Sequence, residues 1–119
     1  MTIRRVVPNI RSLDPQASRA FYVDVLGFEV AMDMGWIVTF ASSENATAQI
    51  SVIRPDEAGT PHPDFTVEVA DVDAAHARAR ARGHAVIYPL TDEPWGVRRF
   101  FVRDPDGKIV NIMSHQKGA

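Results

Sequence analysis

The sequence predicts an α+β fold in which two β-α-β-β-β modules combine eight strands into a curved sheet around a cavity. Three observations carry this reading. Apolar residues alternate as in a strand, then recur at helical spacing, then alternate again, and the whole cycle happens twice. A proline-rich break, residues 55–63, separates the two cycles. The same landmarks also recur in each: an aspartate ahead of the helix (Asp14, Asp71) and a glycine behind it (Gly27, Gly83) that leads into a strand. A single module leaves its sheet open, so pairing two copies is the simplest way to cover the edges. The chain of 119 residues is read as one domain, with modules at 1–54 and 64–119 and a linker at 55–63.

Each element has a local reason. Ile3 to Arg11 is β-prone, and its internal Pro8 belongs at a strand edge or a bulge. Ser12 or Asp14 supplies an N-cap and Pro15 a first helical turn, after which Ala17, Ala20, Phe21, Val25 and Leu26 fall near one helical face. Gly27 ends that helix. Phe28 to Asp33, Gly35 to Ala41 and Thr47 to Arg54 are three strands, divided at Met34-Gly35 and by the polar loop Ser42 to Ala46. Beyond the linker, Asp64 to Val69 is a strand in which Val67 and Val69 alternate with Thr66 and Glu68. Asp71 or Asp73 caps an alanine-rich helix through Arg82, which Gly83 stops. Ala85 to Leu90 is a further strand. Val97 to Arg103 and Lys108 to Met113 form a hairpin around Asp104-Pro105-Asp106-Gly107, where Pro105 pre-sets φ, Asp106 bonds its own backbone and Gly107 takes a left-handed conformation.

Composition narrows the function. The absence of cysteine excludes disulfides, thiolate metal sites and cysteine nucleophiles, and fits a reducing compartment. A net charge of −2 gives no general attraction for nucleic acid or for an anionic membrane. The N-terminus has no apolar run of the secretory kind, so the expectation is a cytoplasmic protein. Arg78, Arg80 and Arg82 are spread around their helix instead of forming a stripe. Neither a phosphate-binding glycine loop nor a Ser-His-Asp ordering is present.

Phe21-Tyr22-Val23-Asp24-Val25-Leu26-Gly27-Phe28 behind Asp14, then Pro94-Trp95-Gly96, then Arg103-Asp104-Pro105-Asp106-Gly107 together resemble the glyoxalase/bleomycin-resistance/extradiol-dioxygenase superfamily. The resemblance spans nearly the whole chain. It implies paired modules, a cupped sheet that holds a ligand, and a homodimer. It also implies, for the superfamily's enzymes, a divalent metal held by His or Glu side chains on the inner face. The matching positions here are Val7, Asp64, Ser51 or Gln49, and Asn111, of which only Asp64 offers an anionic donor. No metal, no cofactor and no catalytic residue is therefore expected. The resemblance points instead to the metal-free, bleomycin-resistance-like branch, with Glu93-Pro94-Trp95-Gly96 similar to the corresponding segment of those proteins.

The candidate ligand contacts follow. Trp95, between proline and glycine, can lay its indole across a cleft, and Trp36 after Gly35 has the same logic; each can instead pack against the sheet. Asn111 and Asp64 are polar residues on apolar strands and need partners, which a ligand or a neighbouring group can supply. Phe40, Ser51, Arg99 and Phe101 complete the set. The expected function is metal-independent sequestration of a planar or aromatic antibiotic or natural product in a dimeric groove. The alternative is a glyoxalase-like lyase, isomerase or dioxygenase with an atypical metal site, or with Asp64 as a buried base. A slipped register would be needed for His62, Asp64 and His115 to meet around a metal; His76 and His84 read as solvated.

Overall fold

The computed structural model describes residues 2–56 and 58–116. Its strands are β1 Ile3–Arg11, β2 Glu29–Asp33, β3 Ile37–Ala41, β4 Gln49–Ile53, β5 Phe65–Val69, β6 Val86–Asp92, β7 Val97–Arg103 and β8 Ile109–His115. The helices are α1, Arg19–Tyr22, and α2, Val72–Ala81. The eight strands follow the order β2-β3-β4-β1-β5-β8-β7-β6, a mixed sheet in an α+β chain. Two compact units divide the chain: Val6–His62, and the N-terminal residues through Arg5 together with the chain from Pro63 onward. Of the expected linker, Glu57 lies outside the described residues. Asp56 organises its neighbours there, accepting hydrogen bonds from the Ala58 amide and the Thr60 hydroxyl, both at 2.7 Å.

In the first unit β1 runs parallel to β4, with Asn9 opposite Ser51, while β3 is antiparallel to β4 and to β2. Its core is Val38, Phe40 and Val52, covered by Tyr22, Val23, Phe28 and Val30. The first helix departs from the expected one. Asp14 does cap it, accepting from the Ala17 amide, and Pro15 occupies the first turn, but that turn is 3-10, Pro15–Ser18, and only one α turn follows. Phe21, Val25 and Leu26 are exposed, at 52%, 68% and 55%, in place of the buried face the spacing predicts. A 3-10 turn advances about 120° per residue instead of about 100°, which rotates the next residues around the axis and brings Tyr22 onto the sheet. Tyr22 stacks on Phe40 with ring centroids 5.1 Å apart.

In the second unit β5 is parallel to β8, and β8 and β6 are antiparallel to β7. Of the two aspartates that could cap α2, Asp71 does so, accepting from the Ala74 amide at 3.0 Å; Asp73 instead pairs with Arg98 at 2.9 Å. Val72, Ala75 and Ala79 lay the helix on Val69, Phe100, Val102 and Val110. Alanines let it approach closely while burying little area each. β6 ends the strand order, so Pro89 costs no interior ladder bond, and its pairing with β7 is irregular on both sides of Tyr88. In the β7–β8 turn the capping side chain is Asp104, not Asp106: its Oδ1 accepts from the amides of Asp106 and Lys108, both at 2.9 Å. Gly107, at φ +82°, takes the left-handed position. Among the described residues no helix is long and apolar enough to cross a membrane.

Candidate functional site

Because α2 and its core claim one face of β5, β8 and β7, strand alternation sends Thr66, Glu68, Val97, Arg99, Phe101, Asn111, Met113 and His115 to the other. Register sets them in rows. Thr66, Asn111, Phe101 and Tyr88 lie side by side across four strands, and Glu68, Met113 and Arg99 make the next row.

Arg99 is the centre of this face. Its guanidinium carbon sits 5.1 Å from the Tyr88 ring, 5.1 Å from Trp95 and 4.9 Å from Phe101. Tyr88 and Phe101 stack on each other at 4.7 Å. The tight turn from Glu93 to Gly96, closed by the Gly96 amide on the Glu93 carbonyl at 3.1 Å, carries both Trp95 and Glu93. Glu93 is buried, its carboxylate 2.6 Å from Arg99 Nη2, and the Tyr88 hydroxyl donates to it at 3.1 Å. Charge and cation–π attraction thus fix a planar cation among three rings.

Two buried polar atoms of the described side chains have no hydrogen-bond partner, and both are on this face: Arg99 Nε and Asn111 Oδ1. Asn111 is 8% exposed, and its Nδ2 donates to the Thr66 hydroxyl at 3.1 Å. One orphan is a donor and the other an acceptor. Each such group, unmet, costs about 1–3 kcal/mol. Trp95, 37% exposed, is the ring of the cluster most open to a guest. The other side of this unit carries an open groove of about 680 Å³ along α2 and β6, lined in part by His76, Arg80, His84 and Leu90, but among the described residues no unmatched buried side-chain polar atom lies there.

At the end of the same face Glu68 joins two strands' side chains. Its carboxylate takes Arg5 Nε at 2.5 Å and His115 Nδ1 at 2.8 Å. Burial alone would raise the Glu68 carboxyl; the hydrogen bonds from His115 and Arg5, with their charges, outweigh it and hold it below the ordinary carboxylate value.

The structure thus brings Trp95, Arg99, Phe101 and Asn111 together. Trp36, Phe40 and Ser51 belong to the other unit: Trp36 is half-buried ahead of β3, Phe40 is fully buried in the apolar core, and the Ser51 hydroxyl is 2.7 Å from that of Thr39. Asp64, considered above as a buried base, is exposed and clamps the strand end. Its amide donates to the Ile109 carbonyl and its Oδ2 accepts from the Ile109 amide, both at 2.8 Å. Six residues of β8, about 20 Å, separate that contact from His115, while His62 bonds the Asn9 carbonyl at 3.1 Å in the first unit. Tyr88 and Thr66 are not among the contacts expected from sequence, and Glu93 enters there only within the motif Glu93-Pro94-Trp95-Gly96. The alternation of Thr66 and Glu68 with Val67 and Val69 was the available signal for the polar face.

The chain matches the family described as the Glyoxalase/Bleomycin resistance protein/Dioxygenase superfamily over residues 3–112, and it belongs to that superfamily. No curated protein sequence matches it. Among solved structures it is similar to a superfamily member from Vibrio splendidus 12B01, at 24% identity and TM-score 0.69, covering 95% of this chain and 99% of that one. A structure described as NAD-dependent benzaldehyde dehydrogenase from Legionella pneumophila gives 17% identity and TM-score 0.76, covering 93% and 99%. Methylmalonyl-CoA epimerase from Mycobacterium tuberculosis gives 20% identity and TM-score 0.69, covering 95% and 87%. At these identities the likeness is one of fold.

The metal that the superfamily's enzymes carry does not fit the donors found here. Val7 has no lone pair, Ser51 is engaged with Thr39, Asn111 with Thr66 and Asp64 with a backbone amide. Among the described residues no three His, Asp or Glu side chains are grouped to hold an ion.

Proposed function

We propose that this chain is a metal-independent, cytoplasmic binding protein of the bleomycin-resistance type, acting as a homodimer that sequesters a planar or aromatic small molecule stoichiometrically. The single observation that carries the reading is the pair of unmatched buried atoms, Arg99 Nε and Asn111 Oδ1, set beside three aromatic rings. Both atoms are shielded from solvent, so a guest with a flat ring, one acceptor and one donor would satisfy them as the Arg99 and Asn111 side chains turn to meet it, while stacking on Trp95. Charge decides further. Glu93 already neutralises Arg99, and Glu68 is matched by Arg5, so the face offers no net cation to an anionic guest. The ligand is uncharged where it meets the sheet. Exposed Leu13, Phe21, Val25 and Leu26 give the first unit an apolar surface suited to a second copy.

The test is tryptophan fluorescence of the protein titrated with bleomycin-like and other planar compounds in excess chelator. Saturable quenching that Trp95→Phe abolishes and Trp36→Phe retains is the expected result. Failure of the whole panel to quench would remove this ligand class.

A further inference from the structure

Glu68, Arg5 and His115 form a cluster to which the binding reading assigns no contact with the guest. Glu68 is ionised, because its carboxyl is held low by partners on both oxygens. An ionised carboxylate only accepts, so the ring nitrogen 2.8 Å away, His115 Nδ1, is the one that carries hydrogen. In the neutral imidazole this leaves the lone pair on Nε2, across the ring from Glu68. Arg5 fixes the second carboxylate oxygen, so the pair cannot swing freely. The His115 side chain is 57% exposed, whereas Glu68 behind it is 13% exposed. A half-buried acid orienting an accessible imidazole is an arrangement suited to proton abstraction.

His115 is also placed to meet the guest. In β7–β8 pairing His115 stands opposite Val97 and Met113 opposite Arg99, so Arg99 and His115 are diagonal neighbours on one face, about 7–8 Å apart. That is the length of a bicyclic aromatic. The groups facing His115 are Glu68 from β5, with Arg5 of β1 behind it, and the apolar Val97 of β7.

We infer that His115 Nε2 is a general base, positioned by Glu68, that removes a proton from an uncharged planar ligand seated on Trp95 and Arg99. The inference rests on the binding reading above and adds a chemical step to it. A suitable probe is 5-nitrobenzisoxazole, a flat, neutral bicycle. Nε2 would take its C3 hydrogen, the C–H electron pair would form the nitrile as the N–O bond breaks, and the oxygen would leave as the coloured nitrophenolate. The imidazolium then returns its proton to water. No oxidant or metal is needed.

Turnover is measured with chelator present for wild type, His115→Gln, Glu68→Gln and His84→Gln, the last removing an exposed histidine far from the face. Expected are a loss of about a hundredfold in His115→Gln, no change in His84→Gln, and an intermediate fall in Glu68→Gln. Nitrogen chemical shifts of His115 supply an independent readout of Glu68 as a positioning residue: Nδ1–H in wild type, and a mixed tautomer in Glu68→Gln. Equal turnover in wild type and His115→Gln, or an Nε2–H tautomer in wild type, overturns the inference. If the probe quenches Trp95 saturably yet His115→Gln turns over like wild type, the base assignment fails and the binding reading stands. Absence of both quenching and turnover removes the two together.

Discussion

Replacing Glu93 with alanine would strip Arg99 of its buried carboxylate partner while leaving the guanidinium between Tyr88, Trp95 and Phe101. The side chains involved are 15% and 8% exposed, so water cannot readily replace the lost charge. Breaking a buried pair from one side costs about 3–5 kcal/mol; three ring contacts and residual access to water at Arg99 place this case near the lower end, about 3 kcal/mol. The Tyr88 hydroxyl loses its acceptor as well, worth about 1 kcal/mol. Glu93→Ala should therefore lower unfolding free energy by about 3–4 kcal/mol in urea titrations. The double variant Glu93→Leu with Arg99→Met, which removes both charges and keeps apolar volume, should recover to within about 1 kcal/mol of wild type. A Glu93→Ala protein within about 0.5 kcal/mol of wild type would refute the buried-pair account.

Two further outcomes follow from the same face. Asn111→Leu removes an unmatched carbonyl along with one hydrogen bond to Thr66, so stability should change by less than about 1 kcal/mol, while affinity for a quenching ligand falls about tenfold, read by fluorescence titration. Glu68 has a folded-state carboxyl held below its ordinary value, so its contribution to stability is full above the unfolded value and disappears as pH falls through the folded one. Urea midpoints measured from about pH 6 down to about pH 3 should drop less steeply for Glu68→Gln than for wild type; parallel curves would contradict the pairing.

Much of the architecture was legible because it rests on local patterns. Asp14 and Asp71 sit where helices begin, Gly27 and Gly107 take positive φ, and strand alternation already placed Thr66 with Glu68. What was not legible depends on phase and on distant partners. The 3-10 entry to the first helix rotates Phe21 out to solvent, a change of phase that apolar spacing alone does not register. Arg99 meets Glu93 only because the turn at Pro94 and Trp95 brings the end of β6 back over β7. Glu68 and His115 lie 47 residues apart and meet through the parallel β5–β8 register. Asp64 and Asn111 showed different outcomes of one rule: Asp64 is exposed and takes the Ile109 amide on Oδ2, whereas Asn111 is buried with Nδ2 bonded to Thr66 and Oδ1 unmatched.

The most direct measurement is a nitrogen-15 NMR titration, in chelator, that follows the Arg99 Nε–H and the Asn111 side-chain amide while a quenching planar compound is added. The account predicts that both resonances shift together and saturate with the Trp95 quench. Saturable binding that leaves both resonances unmoved would contradict it.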